Sequence, residues 1–205
     1  MTGKRIPLFP LEVVLFPGVP LPLHIFEPRY KLMVRQSMEH SQQFGVVLSK
    51  RESIAKVGCT AEIIELVKEY PDGRMDILTM GERPFRIVEV FSEKPYREAD
   101  VEFLPDADEE PEDEDAELLR TYERCHELIY GQAPEAEERD ESTALSYQIA
   151  ADLPLELDRK QSLLELRGER ERRSQLLAHL RELLPSLSQR SRMREKARGN
   201  GHGVV

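Results

Sequence analysis

The sequence predicts an α+β chain in which a β-rich N-terminal half precedes a helical C-terminal half. Three observations support this fold class: a proline-rich apolar segment near the N-terminus, two long β-type runs joined by a turn motif, and helical apolar spacing beyond an acidic stretch. The length of 205 residues suits one domain or two subdomains. We expect a β-rich unit over residues 1–105, an acidic linker over 106–113, a helical bundle over 114–185 and a basic, disordered tail over 186–205.

The N-terminal segment, residues 6–30, reads IPLFPLEVVLFPGVPLPLHIFEPRY and is apolar almost throughout. Its prolines exclude a long helix, because an interior proline removes a donor and clashes with the preceding turn. They also argue against a regular central strand, because proline cannot donate to a sheet ladder. We therefore expect short extended pieces joined by turns. Pro28 suits the first position of a helix, which we expect to continue to about residue 40.

Four further runs have the composition of strands. Residues 44–49 predict a short buried strand, and residues 96–104 predict another. Two longer runs, 57–70 and 74–91, flank Pro71-Asp72-Gly73, which is typical of a β-hairpin because Asp and Gly tolerate the positive φ of tight turns. Gly81 and Pro84 predict a bulge in the second of these runs. The N-terminal half should thus contain about six strands, mainly antiparallel.

The C-terminal half begins after residues 105–115, which are acidic, contain almost no apolar side chains and should form a flexible connector. Apolar spacing beyond them predicts four helices, over 114–130, 142–153, 159–167 and 169–184. The expected boundary residues are Asp140 or Ser142 and Asp158 as N-caps, with Gly168 and Pro185 as helix ends.

Charge and cysteine content exclude several classes of function. The net charge is −10, which disfavours binding to nucleic acid, and the basic tail lacks interleaved aromatic residues. No signal peptide or membrane-spanning segment is evident. Cys59 and Cys125 are isolated in sequence, so neither a disulfide nor a metal site is indicated. We expect a cytoplasmic protein without metal or cofactor.

Several motifs, in the same order along the chain, resemble a known family. They include Pro-Leu-Phe-Pro-Leu at 7–11, Leu-Phe-Pro-Gly at 15–18 and Leu-Pro-Leu-His-Ile-Phe-Glu-Pro-Arg-Tyr at 21–30. Matching stretches recur at 58–63, 72–74, 81–87, 149–155 and 160–165. The chain resembles the N-terminal substrate-binding domain of Lon proteases, and more specifically its stand-alone bacterial versions. The resemblance implies a PUA-like antiparallel β pseudo-barrel followed by a helical bundle.

The resemblance also implies recognition without catalysis. The sequence has no glycine-rich phosphate loop ending in Gly-Lys-Ser/Thr, which the Lon ATPase requires. Ser49-Lys50 is an adjacent pair, but we interpret it as the end of a strand rather than as a catalytic dyad. We therefore expect a module that is not an enzyme and that binds unfolded or degron-bearing polypeptide segments, or a protein partner.

Candidate binding residues come from the proline-rich segment. An apolar groove could be lined by Phe16, Leu21, Phe26 and Tyr30, with Glu27 and Arg29 at its rim. For each of these side chains alone, a place in the core stays open. For Glu27, an ion pair with Arg29 or a cap on the helix that begins at Pro28 also stays open. The alternative function is a small-molecule or RNA-binding module on the same PUA-like fold. We expect a monomer or a weak dimer.

Overall fold

A computed structural model describes residues 4–51, 53–107, 116–134 and 143–199, with side chains described up to residue 193. Most of the expected flexible connector, together with the candidate caps Asp140 and Ser142, lies outside the described residues. The strands are β1 Lys4–Leu11, β2 Pro20–Ile25, β3 Phe44–Lys50, β4 Ser53–Glu69, β5 Met75–Phe91 and β6 Glu98–Phe103. The helices are α1 Pro28–Glu39, α2 Ala116–Tyr130, α3 Leu145–Asp152, α4 Leu157–Glu165 and α5 Glu169–Gly199.

The six strands form one sheet in the order β2-β5-β4-β3-β1-β6, and a further pairing between β5 and β6 closes five of them into a ring. The ring is not a true barrel: β5 pairs with β2 along its first half and with β6 along its second half. Five of the six strand pairings are antiparallel, and β1 with β3 is parallel. The predicted α+β class is confirmed.

Strand β1 corrects one expectation. The prolines argued against a regular central strand, yet β1 lies between β3 and β6 in the sheet. Residues 4–7 pair with β6, whereas residues 8–11 pair with β3. Apart from Leu8, whose N–H also donates to the carbonyl of Arg97 (2.8 Å), each half of the strand has a ladder on one side only. Pro7 and Pro10 therefore do not each interrupt two ladders.

The predicted hairpin and bulge are both present. Residues 70–74 connect β4 to β5, and Gly73 adopts a φ of +77° that favours glycine. The register of β4 against β5 shifts between Cys59, opposite Pro84, and Ala61, opposite Gly81. A Cβ at Gly81 would lie 2.0 Å from the backbone oxygen of Phe16, so only glycine fits at this close approach.

Two apolar clusters stabilise the structure. The smaller one consists of six buried side chains from β1, β3, β5 and β6, which fill the ring: Ile6, Leu8, Val47, Phe85, Ala99 and Val101. The larger one runs from the strands through α1 into the helical half, from Phe9 to Leu180. Because apolar burial is the dominant favourable term in folding, this continuous cluster joins the two halves of the chain.

Two helix caps differ from the sequence prediction. Helix α3 begins after Ala144 without a side-chain cap, and the carboxylate of Glu169 on α5 accepts a hydrogen bond from the backbone N–H of Ser146 instead (3.1 Å). A tertiary contact thus replaces the local cap. Helix α4 follows Glu156, so Asp158 lies inside its first turn and does not cap it. The same helix ends at Glu165 and an extended Leu166, before the predicted stop at Gly168.

Helix α5 also corrects the prediction, because it continues through Pro185 to Gly199 rather than ending at Leu184. An interior proline costs a backbone hydrogen bond and introduces a clash. The continued helix brings Leu187 against the apolar core beside Leu184, and this burial offsets part of that cost.

Candidate functional site: an open three-stranded arm

Three strand segments project beyond the ring and form what we call the arm: β2, residues 75–81 of β5 and residues 62–69 of β4. Strand β3 pairs with β4 only up to Ala61, so beyond it β4 keeps β5 as its strand neighbour within the described chain. Strand β2 lies on the opposite side of β5. Both edges of the arm therefore have no further strand beside them within the described chain.

The β2 edge is protected by its prolines. The carbonyl of Leu21 faces β5, since it accepts a hydrogen bond from the Thr79 hydroxyl (2.8 Å). Residues alternate their backbone direction along an antiparallel strand, so Pro20 and Pro22 have their nitrogen atoms on the outer side. Proline nitrogen cannot donate, and this edge consequently offers few donors to an added strand.

The β4 edge is more open and carries exposed apolar side chains. Its register against β5 shifts between Ile63 and Glu65 and again between Leu66 and Lys68. The extra residues at these two bulges are Ile64 and Val67, whose exposed fractions are 54% and 58%. Bulges direct side chains away from the ladder, and they prevent a continuous added strand.

Exposed apolar residues concentrate at this end of the molecule. Among the described residues, ten large apolar side chains are exposed, and half of them belong to the arm or to the adjoining residues 26–39. This half consists of Phe26, Leu32, Ile64, Leu66 and Val67. Contiguous exposed apolar surface commonly marks an interaction site.

An aromatic and charged cluster lies on the outer face of the arm. The ring of His24 lies 6.0 Å from both Phe26 and Tyr70, measured between ring centroids. Asp76 accepts hydrogen bonds from the Tyr70 hydroxyl (2.8 Å) and contacts His24 Nδ1 (2.5 Å). The hydrogen bonds from His24 and Tyr70 lower the pKa of Asp76. The cluster therefore orders the side chains around Phe26, which itself is 59% exposed.

Helix α1 anchors the arm to the rest of the structure. The side chain of Lys31 donates to the carbonyl of Asp72 in the hairpin turn (3.0 Å), and Arg35 pairs with Glu69 at the end of β4 (2.9 Å). Pro28 occupies the first turn of α1, as predicted. The apolar residues of the arm are thus exposed on a fixed scaffold.

The structure brings only part of the predicted binding set to this surface. Phe26 is exposed, Leu21 and Glu27 are partly buried, and Arg29 is exposed and pairs with Glu27 (2.8 Å). Tyr30 is buried against Phe9, with ring centroids 4.2 Å apart. The backbone of Phe16 lies beside Gly81 at the base of the arm, but its ring is buried in the core, where it stacks on Tyr147 at 5.2 Å.

The most buried polar cluster was not found from the sequence. Arg172 on α5 is fully buried, and its guanidinium donates two hydrogen bonds to Asp106 (2.9 and 2.6 Å). It also donates to Ser146 and Glu169 (both 3.1 Å) and lies over the Tyr147 ring at 4.3 Å. The i,i+3 spacing of Glu169 and Arg172 is a weak signal for a pair, and nothing local indicated burial.

Burial and hydrogen bonding have opposite effects on Glu169 in this cluster. Burial raises the pKa of the Glu169 carboxyl, but hydrogen bonds from Ser146 and Arg173 and the charge of Arg172 outweigh burial and lower it. The cluster joins the residues after β6 to α3 and α5, and both of its carboxylates, Asp106 and Glu169, are paired with Arg172. Its arrangement indicates a structural role.

A cleft of about 680 Å³ lies beside this cluster, between the β5 bulge and α3. Its lining includes Met80, Arg83, Phe103, Asp106 and Tyr147.

Within the described part of the chain, no group of three or more His, Cys, Asp or Glu side chains is placed to hold a metal ion. No helix among the described residues is both long and apolar enough to cross a membrane. Ser49 and Lys50 end β3, as interpreted from the sequence.

Comparison with known proteins identifies the fold. The family described as the ATP-dependent protease La (LON) substrate-binding domain matches residues 5–182. The Lon protease of Flavobacterium johnsoniae is 26% identical over 213 residues, covering 94% of this chain and 26% of that protein. The Lon protease of Escherichia coli K12 is 28% identical, covering 95% and 27%. The chain thus spans about a quarter of the length of these curated relatives.

Two solved structures are similar over most of their length. A Lon N-terminal domain protein from Xanthomonas campestris has a TM-score of 0.69 and 29% identity, covering 85% of this chain and 98% of that one. The N-terminal domain of Mycobacterium avium complex Lon protease has a TM-score of 0.62 and 16% identity, covering 86% and 98%, and it supports the fold alone. Because the family match covers most of the sequence, the chain belongs to the Lon substrate-binding domain family.

Proposed function

We propose that this chain is a non-catalytic recognition module that binds unfolded or degron-bearing polypeptide segments through the apolar surface of the arm. The observation that carries this proposal is the concentration of exposed apolar side chains on a fixed, open-edged arm. Unfolded chains differ from folded ones chiefly in their exposed apolar residues, and an apolar surface of this kind recognises them without a fixed sequence.

Side-chain contacts should dominate the recognition. Proline protects the β2 edge, and bulges interrupt the β4 edge, so neither edge supports a long added strand. Ile25 and Glu69 both lie opposite Met75, which places β2 and β4 two strand spacings apart, or about 10 Å. Phe26 on one side and Val67 on the other can therefore contact a single extended segment.

The six candidate residues from the sequence take different parts in this proposal. Phe26 is the apolar contact, and Glu27 and Arg29 form its polar rim, all within one short segment. Leu21 contributes from β2. Tyr30 and Phe16 support the surface from the core, because burial removes them from direct contact in this conformation.

Hydrogen–deuterium exchange with a permanently unfolded polypeptide tests the proposal. Added polypeptide should protect amides of residues 20–39 and 62–69, and the polypeptide should remain uncleaved. The variants Phe26→Ser and Val67→Ser should each weaken binding about tenfold or more, since a buried large apolar side chain contributes about 1.5–3 kcal/mol. Val88→Ser is the matched control, because Val88 is an equally exposed valine of β5 outside the arm (67%).

The outcomes separate the competing functions. Unchanged exchange of the arm in excess polypeptide would refute the proposal. Protection of the cleft near Tyr147 by a small metabolite would favour the small-molecule alternative, for which that cleft is the specific observation. RNA binding is the weaker alternative, because a chain of net charge −10 repels phosphate backbones.

The proposed cytoplasmic location has one supporting observation. Cys59 and Cys125 are both free and buried, and they pair with no second cysteine. Proteins of reducing compartments commonly keep their cysteines in this state.

A further inference from the structure

A separate, basic cavity lies where the start of α1, the β3–β4 turn and the β5–β6 connection meet. Its volume is about 410 Å³. Among the described residues, every charged side chain that lines it is a cation: Arg29, Arg51, Lys94 and Arg97. Hydroxyl groups also line it, from Ser49, Ser53 and Ser92. We call this cavity the basic pocket.

Two of the four cations are already paired. Arg29 pairs with Glu27 (2.8 Å), and Lys94 pairs with Glu98 (2.9 Å). Within the described chain, Arg51 and Arg97 have no carboxylate within ion-pair distance. Counted over the described residues alone, the basic pocket thus holds about two positive charges without an ion-pair partner, on a chain whose net charge is −10. Uncompensated cations gathered in a cavity favour an anionic ligand.

Tyr30 forms part of the pocket wall and is buried against the core. Burial raises the pKa of Tyr30; the charges of Arg29 and Arg97 lower it, and the charge of Glu27 raises it. Arg29, Arg97 and Glu27 therefore all lie close enough to act on this part of the wall.

Arg51 occupies a position where glycine would cost less. Its φ is +52°, in the left-handed region that side chains with a Cβ adopt at a cost of about 1 kcal/mol. The turn between β3 and β4 nevertheless places an arginine there, at the mouth of the basic pocket. Strained non-glycine residues cluster at ligand-binding sites. A change of Arg51 to glycine also relieves the strain, so it can test binding without destabilising the fold.

We propose that the basic pocket binds a phosphoryl group on a side chain of the polypeptide held by the arm. The inference rests on the proposed function and adds a ligand class to it. A phosphorylated side chain carries about −1.5 to −2 charges and three strong acceptor oxygens. The two uncompensated guanidinium groups match this charge, and their planar forks and the serine hydroxyls supply the donors.

The basic pocket and the arm are close enough for one ligand to reach both. Arg29 lines the pocket and lies three residues from Phe26, so their Cα atoms are at most about 11 Å apart. An extended segment of about three to four residues spans that distance. A polypeptide with a phosphorylated residue a few positions from an apolar one can therefore occupy both sites.

Fluorescence anisotropy with three labelled peptides tests the inference. The probes are an unstructured peptide with one phenylalanine and one phosphoserine separated by three residues, the same peptide with serine, and the same peptide with glutamate. The phosphoserine peptide should bind about tenfold more tightly than the serine peptide, since a charge-assisted hydrogen bond contributes about 1.5–3 kcal/mol. Inorganic phosphate should compete, and the difference should shrink as salt concentration rises.

Substitutions assign the effect to the basic pocket. Arg51→Gly removes a charge and relieves the positive φ, so the protein should fold at least as well while losing most of the preference for phosphoserine. Arg97→Ala should have the same effect on binding. Arg124→Ala is the charge-matched control, because Arg124 lies on α2 and pairs with Glu127 there.

Each outcome has a distinct meaning. Equal binding of the serine and phosphoserine peptides would overturn this inference and leave the proposed function standing. Equal binding of the glutamate and phosphoserine peptides would overturn the phosphoryl specificity. Binding of inorganic phosphate to the protein, measured by calorimetry, with no binding of any peptide, would refute the proposed function and, with it, the inference for a polypeptide ligand.

Discussion

Replacing Arg172 by alanine is expected to destabilise the chain far more than breaking an exposed ion pair. The guanidinium is fully buried and donates to Asp106, Ser146, Glu169 and the carbonyl of Leu166. Removing it leaves Asp106 without its counter-charge and Glu169 with Arg173 alone, and an unpaired buried charge costs more than the pair itself contributes.

The expected magnitude follows from the exposure of the two carboxylates. Breaking a buried ion pair costs about 3–5 kcal/mol. The side chains of Asp106 and Glu169 remain 45% and 22% exposed, so water can solvate both in part. We therefore expect the lower value, about 3 kcal/mol, which for a chain of this size lowers Tm by about 6–12 °C. Arg172→Lys should lose less stability than Arg172→Ala, because lysine keeps the positive charge but cannot make the bidentate contact with Asp106.

Urea unfolding followed by far-UV circular dichroism provides the assay, because the chain lacks tryptophan. Arg35→Ala is the control: it breaks the exposed pair with Glu69 and should cost about 0–1 kcal/mol. A double-mutant cycle with Asp106→Ala should give a coupling of at least about 1 kcal/mol. The prediction is wrong if Arg172→Ala and Arg35→Ala lower the free energy of unfolding equally, or if the coupling energy between Arg172 and Asp106 is zero. Either result would show that the buried cluster does not stabilise the fold.

Three further predictions concern individual residues. Gly81→Ala should cost about 1–3 kcal/mol, because its Cβ would meet the Phe16 carbonyl. Gly131→Ala meets no neighbour, so its loss should come only from its positive φ (+82°), at about 1 kcal/mol, and Gly81→Ala should exceed it. The lowered pKa of Glu169 means that its stabilisation is present above its ordinary value of 4.5 and is lost as pH falls below it. Glu169→Gln should therefore flatten the acid side of the pH–stability profile, and an unchanged profile would contradict the assignment. Burial raises the pKa of Cys59, so this thiol should react with a thiol reagent only in urea; rapid reaction of the native protein would contradict its burial.

Local chemistry was sufficient to predict the hairpin, the bulge and the start of α1. Gly73, Gly81 and Pro28 each constrain the backbone of their own segment, whatever surrounds it. The same reasoning was wrong at Pro185, where α5 continues because later apolar residues pack on the core. It also missed the cap of α3, which Glu169 supplies from another helix.

The candidate site was less predictable because it is assembled from distant segments. The sequence singled out Phe26, Glu27 and Arg29, which share one short stretch. The exposure of Ile64 and Val67 depends on bulges in β4 and on the absence of β3 beside them, and neither is visible in a local pattern. The basic pocket joins three segments whose charges, taken separately, are typical of any solvated surface.

The divided pairing of β1 has a consequence for biosynthesis. The second half of β1 can form its ladder only after residues 45–48 have been synthesised. The first half can form its ladder only after residues 98–101 have been synthesised. At translation rates of about 5–20 residues per second, the proline-rich N-terminus spends roughly 5–20 s outside its final sheet. Closing the ring is then a late, non-local event, of the kind that slows folding. The nascent chain therefore exposes the apolar proline-rich segment longest, at the stage when chaperones would encounter it.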